Sequence, residues 1–116
     1  MTNKVVCIIP ARMASARFPG KPLARILGHS MIEHVYRRVK LAKEIDEIFV
    51  ATCDREIALA AEKFGAHSIM TSDQHTRGTD RVAEAAHGLE ADIVINVQGD
   101  EPLVDPDSLD QAILAM

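Results

Sequence analysis

Three cations lie among small residues in one segment near the start of the chain. Arg12, Arg17 and Lys21 alternate with alanine, serine and glycine between positions 10 and 22. Small residues let a backbone approach an anion, while guanidinium and ammonium groups neutralise its charge. The segment has neither the G-x-G-x-x-G pattern nor a Walker loop, since Lys21 is followed by Pro22. Spacing alone favours a solvated basic loop, and a phosphate-binding loop of another kind is the alternative that the alternating cations and small residues suggest.

A carboxylate follows the apolar run at residues 93–97. Residues 96–102 read NVQGDEP, so Asp100 stands beside a glycine and shortly before a proline. A carboxylate in this position can hold Mg²⁺, which commonly takes one or two carboxylates together with the phosphates of a nucleotide. The alternative is that Asp100 only caps the backbone of a turn at the end of a strand.

A third polar segment, residues 75–81 (HTRGTDR), offers hydrogen-bond donors for a base or a ribose. The same segment can simply begin a helix, with Thr79 or Asp80 as the cap, and the two roles are compatible. The five histidines of the chain lack ligand spacing such as H-x-x-x-H, and Ser15 has no obvious histidine or aspartate partner. Metal binding by histidine and nucleophilic catalysis are therefore not indicated.

The hydrophobic pattern predicts the elements that must position these segments. A continuous apolar run, typical of a strand buried in a parallel sheet, occurs at residues 5–9, and further strands are predicted at residues 48–52, 68–70 and 93–97. Helical spacing predicts helices at about 30–42, 54–65, 80–87 and 105–113. Alternating strands and helices favour a doubly wound, mainly parallel α/β layer. Ligands bind beyond the carboxyl ends of such strands, where all three polar segments are expected to lie.

Local signals predict where the helices begin and which faces they bury. Ser30 and Glu33 form a capping box, and Asp105 before Pro106 is a good start for the last helix. Asp54 is predicted to cap the second helix. For the third helix, the residues predicted to face inward are Val82, Ala83 and Ala86.

Composition limits the classes of protein to be considered. The 116 residues, 47% hydrophobic and 26% charged, suit one globular domain, and the net charge of −4 argues against a nucleic-acid partner. No apolar run approaches the ~20 residues that span a bilayer, and no signal-peptide pattern is present. Cys7 and Cys53 are not spaced as metal ligands, so we expect buried free thiols in a reducing cytoplasm. Residues 1–32 carry five cationic residues and no acidic one, whereas every Asp, Glu, Lys or Arg after Arg81 is an acid. This division suits the binding of a polyanion together with a divalent metal.

Three motifs, in order along almost all 116 residues, resemble the 3-deoxy-manno-octulosonate cytidylyltransferases, or CMP-Kdo synthetases. They are IPAR with RFPGKPL at residues 9–12 and 17–23, GTDR at 78–81, and NVQGDEP at 96–102. Related guanylyl- and uridylyltransferases open with a Gly-Gly loop, which Pro10-Ala11 replaces here. This difference is typical of the branch that activates sugar acids with CTP.

The resemblance implies a fold of the nucleotide-diphospho-sugar transferase type and a reaction for lipopolysaccharide precursor synthesis. The anomeric hydroxyl of 3-deoxy-D-manno-octulosonate attacks the α-phosphate of CTP, with Mg²⁺ as cofactor, and pyrophosphate leaves. The catalytic residues implied are Arg12, Lys21 and Asp100, of which Asp100 holds the metal. Gln98 is implied to face the sugar acid. The implied nucleotide-binding residues are Pro10, Ala11, Arg12, Arg17, Lys21, Thr71 and Gly78.

Two departures from the family pattern qualify what the resemblance implies. Arg77 stands where the family usually has serine, which bears on the ribose contact and nucleotide preference. Members are also about twice as long, so residues 1–116 are expected to be a truncated, amino-terminal nucleotide-binding half with weak or no activity. A homo-oligomer is implied as well. The alternatives are cytidylyl transfer to another acidic sugar and a non-catalytic nucleotide-binding or assembly module.

Overall fold

Four parallel strands form the central sheet of the computed structural model, which describes residues 4–14, 20–75, 77–99 and 102–116. The four strands of this sheet are β1 (Val5–Pro10), β4 (Glu47–Thr52), β5 (His67–Met70) and β6 (Ile93–Asn96). A separate pair consists of β2 (Arg25–Ile26) and β3 (His29–Ser30). The helices are α1 (Met31–Lys40), α2 (Arg55–Lys63), α3 (Gly78–His87) and α4 (Pro106–Leu114). The predicted alternation of strands and helices is confirmed.

The order of strands in the sheet is β5-β4-β1-β6. All six residues of β1 are buried, as its uninterrupted apolar sequence predicts, because β4 and β6 pair with its two edges. The chain runs outward from β1 to β4 and β5, then returns to add β6 on the other side of β1. The sheet is therefore doubly wound, as expected, and its strand order reverses between β1 and β6.

Helices cover both faces of the sheet because alternate side chains of β1 point in opposite directions. Cys7 and Ile9 belong to a core cluster with residues of α1 and α2, against which Leu109 of α4 packs. Val6 and Ile8 face the other way and cluster with Val82 and its neighbours on α3. Full burial of one such aliphatic side chain contributes about 1.5–3 kcal/mol to the free energy of unfolding. Because β1 places buried side chains in both clusters, it stabilises the packing of both helix layers.

Two of the predicted helix caps are confirmed, and a third takes a different partner. The Ser30 hydroxyl accepts a hydrogen bond from the Glu33 N–H at 3.3 Å, and the Asp105 carboxylate accepts one from the Asp107 N–H at 3.1 Å. Asp54 stands at the N-cap position of α2, yet its side chain does not cap that helix. Its carboxylate instead accepts a hydrogen bond from the Met13 N–H. The prediction of its side-chain role was wrong because a partner distant in sequence competes for the carboxylate.

The third helix begins two residues earlier than predicted, and its inward face is predicted only in part. Val82 is buried and Ala86 packs against the core as expected. Neither Thr79 nor Asp80 is its cap, since the N-cap residue is Arg77. Ala83 is exposed, and Ala85 is buried three residues after Val82. Apolarity alone could not distinguish these positions because alanines occupy both faces of this helix.

Residues 10–29, which connect the first predicted strand to the first predicted helix, contain regular structure that the sequence did not predict. A short 3₁₀ turn spans Lys21–Leu23, and β2 and β3 form a small antiparallel hairpin. The two central residues of its turn, Leu27 and Gly28, have φ values of 53° and 86°. Positive φ at both positions is what a two-residue hairpin requires. Strands of two residues are too short to leave a periodic sequence pattern.

The two cysteines were expected to be buried free thiols, and burial is complete only for Cys7. Cys53 is only partly buried, and both are free thiols. In the part of the chain that the structure describes, no helix is long and apolar enough to cross a membrane.

Candidate functional site

A cleft of about 150 Å³ opens at the carboxyl ends of β1 and β6, where the strand order reverses. The three polar segments that the sequence analysis singled out all contribute to it. Its lining residues are Pro10, Ala11, Arg12, Lys21, Pro22, His75, Arg77, Gly78, Arg81, Gln98 and Gly99. The segments meet because parallel strands end at the same edge of a sheet.

The loop after β1 is anchored on both sides. The Ala11 N–H donates to the Ala51 carbonyl at 3.0 Å, and the Met13 N–H donates to the Asp54 carboxylate at 2.7 Å. The loop also closes on itself, since the Gly20 N–H donates to the Met13 carbonyl at 2.7 Å. These bonds direct Arg12 and Lys21 into the same cleft.

Two glycines allow the other segments to approach the end of β1. A Cβ atom at Gly99 would lie 3.0 Å from the Pro10 carbonyl oxygen. A Cβ atom at Gly78 would lie 3.1 Å from Gln98 Oε1 and 3.2 Å from Pro10 Cγ. All three distances are shorter than ordinary van der Waals contacts, so a larger residue at either position would push the lining segments apart. Gly78 and Gly99 thus maintain the shape of the cleft.

The described lining residues carry positive charge and no carboxylate. Arg12 donates from Nη1 to the His75 carbonyl oxygen at 3.2 Å. Arg77 is largely exposed and donates from Nε to Asp80 at 3.3 Å. Arg81 is only 2% exposed, although it is charged. Together with Lys21, these groups give the cleft a potential that attracts anions.

Most of the predicted site residues that the structure describes are brought together in this cleft. Pro10, Ala11, Arg12, Lys21, Gly78 and Gln98 line it. Thr71 lies beside it, and its hydroxyl accepts a hydrogen bond from Arg81 Nη1. Arg17 and Asp100 lie outside the described residues. The roles assigned to all of these residues remain predictions.

Sequence reasoning missed the residues that hold the segment at 71–75. Arg81 Nη1 donates to the Thr71 hydroxyl and, at 3.2 Å, to the Ser72 carbonyl oxygen. His75 Nε2 lies 2.6 Å from Glu84 Oε1, and the Ser72 N–H also donates to the Glu84 carboxylate. These contacts lower the pKa of Glu84, the Ser72 N–H most and His75 next. Arg81 lies in the GTDR motif, but an arginine in a helix is ordinarily taken as exposed.

No group of three or more histidine, cysteine, aspartate or glutamate side chains that could hold a metal occurs among residues 4–14, 20–75, 77–99 and 102–116. Gln98 and Gly99 line the cleft, and Asp100 follows them directly in the sequence.

The fold and the cleft together define a class of protein. A doubly wound α/β sheet with a cationic cleft at the reversal of its strand order is typical of nucleotide-binding domains. A family model described as Cytidylyltransferase matches residues 6–116. The chain belongs to this cytidylyltransferase family, which confirms the resemblance seen in the sequence.

Two of the matched relatives have a more specific name than the family model. The chain is 58% identical over 107 residues to 3-deoxy-manno-octulosonate cytidylyltransferase of Myxococcus xanthus, covering 91% of this chain and 44% of the relative. It is 53% identical over 110 residues to the protein of the same name from Geobacter metallireducens, covering 95% of this chain and 43% of the relative. The chain thus spans less than half the length of the curated relatives it matches.

A solved structure supports the same comparison. It is the CMP:2-keto-3-deoxy-manno-octonic acid synthetase complexed with CTP, which is 46% identical and superposes with a TM-score of 0.94. The match covers 97% of this chain and 47% of that one. The likeness therefore extends over the strands and helices that form the cleft.

Proposed function

We propose that this chain is the nucleotide-binding part of an enzyme that transfers CMP from CTP to 3-deoxy-D-manno-octulosonate, for lipopolysaccharide precursor synthesis. The observation that carries this proposal is the cationic cleft at the ends of β1 and β6, into which Arg12 and Lys21 converge. The CTP complex of the related synthetase supports the choice of nucleotide. The names of the relatives support the choice of acceptor.

The proposed nucleotide site divides the cleft by chemistry. Arg12 and Lys21 neutralise the triphosphate, with Arg17 assisting them, because charged donors make the stronger hydrogen bonds to phosphate oxygens. Pro10, Ala11 and Gly78 lie against the cytosine and the ribose, where the small residues leave room for the planar base, and Thr71 completes this set.

The proposed reaction needs no covalent intermediate on the protein. The anomeric hydroxyl oxygen forms a bond to the α-phosphorus of CTP, the bond from that phosphorus to the bridging oxygen breaks, and pyrophosphate leaves. The hydroxyl proton is released. A transfer of this kind depends on positioning and on stabilising the developing charge, which is what fixed arginine and lysine groups contribute.

Asp100, which directly follows the lining residue Gly99 in the sequence, is the proposed protein ligand of a magnesium ion that arrives with the nucleotide. Mg²⁺ favours oxygen ligands and commonly takes one or two from the protein while substrate phosphates supply others. The described lining residues carry no carboxylate, and Asp100 follows Gly99 directly, so this single carboxylate is our candidate ligand. When bound, the ion would neutralise charge on the phosphates.

Gln98 is the described residue proposed to face the sugar acid, which leaves most acceptor contacts to residues beyond these 116. We therefore propose that the 116-residue polypeptide binds CTP but transfers CMP weakly or not at all. Two further proposals follow the family: a cytoplasmic location, supported by two free thiols, and a homo-oligomeric state.

The function can be tested by titrating the chain with CTP, UTP and GTP in a calorimeter, with Mg²⁺ present. Selective binding of CTP is expected, and equal or no binding of all three nucleotides would contradict the proposal. Pyrophosphate release is then measured for a longer protein that contains this chain, with 3-deoxy-D-manno-octulosonate and with other acidic sugars. Preference for another sugar would favour a cytidylyltransferase that acts on a different acidic sugar. CTP binding without any turnover would favour a non-catalytic nucleotide-binding module.

A further inference from the structure

The carboxylate of Glu84 contacts both ends of the segment that runs from Ser72 to His75. Glu84 on α3 accepts a hydrogen bond from the Ser72 N–H at 3.0 Å through Oε1 and lies 2.6 Å from His75 Nε2 through the same oxygen. An ionised carboxylate can only accept, so His75 carries a proton on Nε2. The lowered pKa of Glu84 agrees with a carboxylate held in its ionised form.

Arg81, one turn earlier on α3, also holds this segment, and the segment makes a hydrogen bond within itself. Arg81 donates to the Ser72 carbonyl oxygen at 3.2 Å, and Gln74 donates from its N–H to the Ser72 hydroxyl at 3.1 Å. Residues 81 and 84 are three apart, so their side chains lie on one face of the helix. The segment is thereby fixed to a rigid element.

This segment in turn contacts a cation of the cleft. The His75 carbonyl oxygen accepts from Arg12 Nη1 at 3.2 Å, so the sequence of contacts runs from Glu84 through His75 to Arg12. Arg12 and His75 line the cleft, whereas Glu84 is outside the lining. Glu84 can therefore influence an anion in the cleft only through the groups that it holds.

We propose that Glu84 is a positioning residue that holds the Arg12 guanidinium in its phosphate-binding orientation by fixing the His75 carbonyl group. This inference rests on the proposed function, since it assumes that Arg12 binds the triphosphate of CTP. A guanidinium already oriented before binding loses less side-chain entropy when the anion arrives. Removing the carboxylate leaves Arg12 present but unordered.

The test is a double-mutant cycle in CTP binding, measured by calorimetry. Glu84→Ala should weaken CTP binding about tenfold, as expected for about 1.4 kcal/mol of lost ordering. In an Arg12→Ala chain, the same change should have little further effect, because the group that it positions is gone. Fully multiplicative losses would overturn the proposal, since they would show that Glu84 acts independently of Arg12.

Two more variants separate positioning from folding. Glu84→Gln keeps one carbonyl oxygen for Ser72 or His75 and should retain an intermediate affinity, which also covers the case in which Glu84→Ala does not fold. Glu62→Ala removes an exposed glutamate from α2, away from the cleft lining, and should bind CTP as the parent does. An affinity of Glu84→Gln equal to that of the parent, with Glu84→Ala folded and also equal, would overturn the proposal.

A measurement without nucleotide distinguishes failure of this inference from failure of the proposed function. The guanidinium N–H resonances of Arg12, assigned by their loss in Arg12→Lys, are compared by NMR among the parent, Glu84→Ala and Glu62→Ala chains. Only Glu84→Ala should shift them toward the values of a freely mobile arginine. If the parent does not bind CTP, the proposed function fails, while unchanged resonances in Glu84→Ala overturn the positioning role.

Discussion

The carboxylate of Asp54 accepts a hydrogen bond from the Met13 N–H at 2.7 Å, across 41 positions of sequence. Asp54 follows the end of β4, and Met13 follows the end of β1, its parallel neighbour in the sheet. The residue that could have capped its own helix instead anchors the loop next to Arg12. A strand that contributes nothing to the lining of the cleft thus helps to shape it.

This contact predicts the behaviour of variants at position 54. Asp54→Ala should lower the free energy of unfolding by about 1–2 kcal/mol, since a partly buried backbone N–H loses a charged acceptor. CTP binding should weaken at the same time, because Arg12 is adjacent to the released Met13. Asp54→Asn keeps a carbonyl oxygen as acceptor and should lose less of both. Urea titration and calorimetry check this, and a fully stable Asp54→Ala chain would show that the contact is dispensable.

The proposed phosphate contacts predict a second result. Arg12→Ala or Lys21→Ala should weaken CTP binding by about 1.5–3 kcal/mol, the range for hydrogen bonds to charged groups. Lys43→Ala is the matched control. Lys43 precedes the amino end of β4, whereas the cleft lies at the carboxyl ends of the parallel strands. Calorimetry that finds the same CTP affinity in both cleft variants and in the control would remove the cleft from the proposed function.

The proposed magnesium ligand gives a third prediction. Asp100→Asn removes the carboxylate that follows Gly99 in the sequence and should abolish the dependence of CTP binding on Mg²⁺, because the proposed protein ligand of the ion is lost. The fold should be retained, as circular dichroism can check. A variant that titrates with Mg²⁺ and CTP as the parent does would show that Asp100 is only a turn residue.

The buried thiol on β1 gives a fourth prediction. Burial raises the pKa of Cys7 to about 12, and the thiolate is the reactive form. In a Cys53→Ala chain at pH 8, Cys7 should therefore not react with a disulfide reagent until denaturant is added. Because the native pKa is above the unfolded value of 9.0, stability should fall as pH rises from 9 toward 12. Rapid labelling of the folded chain would show that β1 opens readily.

The edge of the sheet gives a fifth prediction. Among the strands that the structure describes, β6 has one neighbour, β1, and Val94 on it is 37% exposed. An apolar edge strand is a template for pairing with another copy, so we expect the chain to self-associate. Val94→Lys should reduce this association, whereas Met70→Lys on β5, the edge strand on the other side of the sheet, should have less effect because β5 also carries the polar residues His67 and Ser68. Sedimentation that shows a stable parent monomer would contradict the prediction.

The sequence by itself determined how the four central strands and the four helices follow one another along the chain. It also determined the family of the chain. Apolar residues identified the positions of β1, β4, β5 and β6, and the uninterrupted run of β1 indicated a strand buried on both faces, which has no polar side. The Ser30 cap could be read directly, since its hydroxyl bonds to an N–H three residues away. Convergence of the basic loop with Gly78 and Gln98 could also be predicted, because parallel strands end at one edge of a sheet.

Only the tertiary structure decided which polar side chains hold the cleft together. The partners of Asp54 and Glu84 lie 41 and 12 residues away in sequence, and no local pattern specifies such contacts. Burial of Arg81 likewise became visible only once Thr71 and Ser72 were placed beside it. A carboxylate or guanidinium binds whichever complementary group the packed sheet brings within about 3 Å, and that group is chosen by strand order rather than by neighbours in the chain.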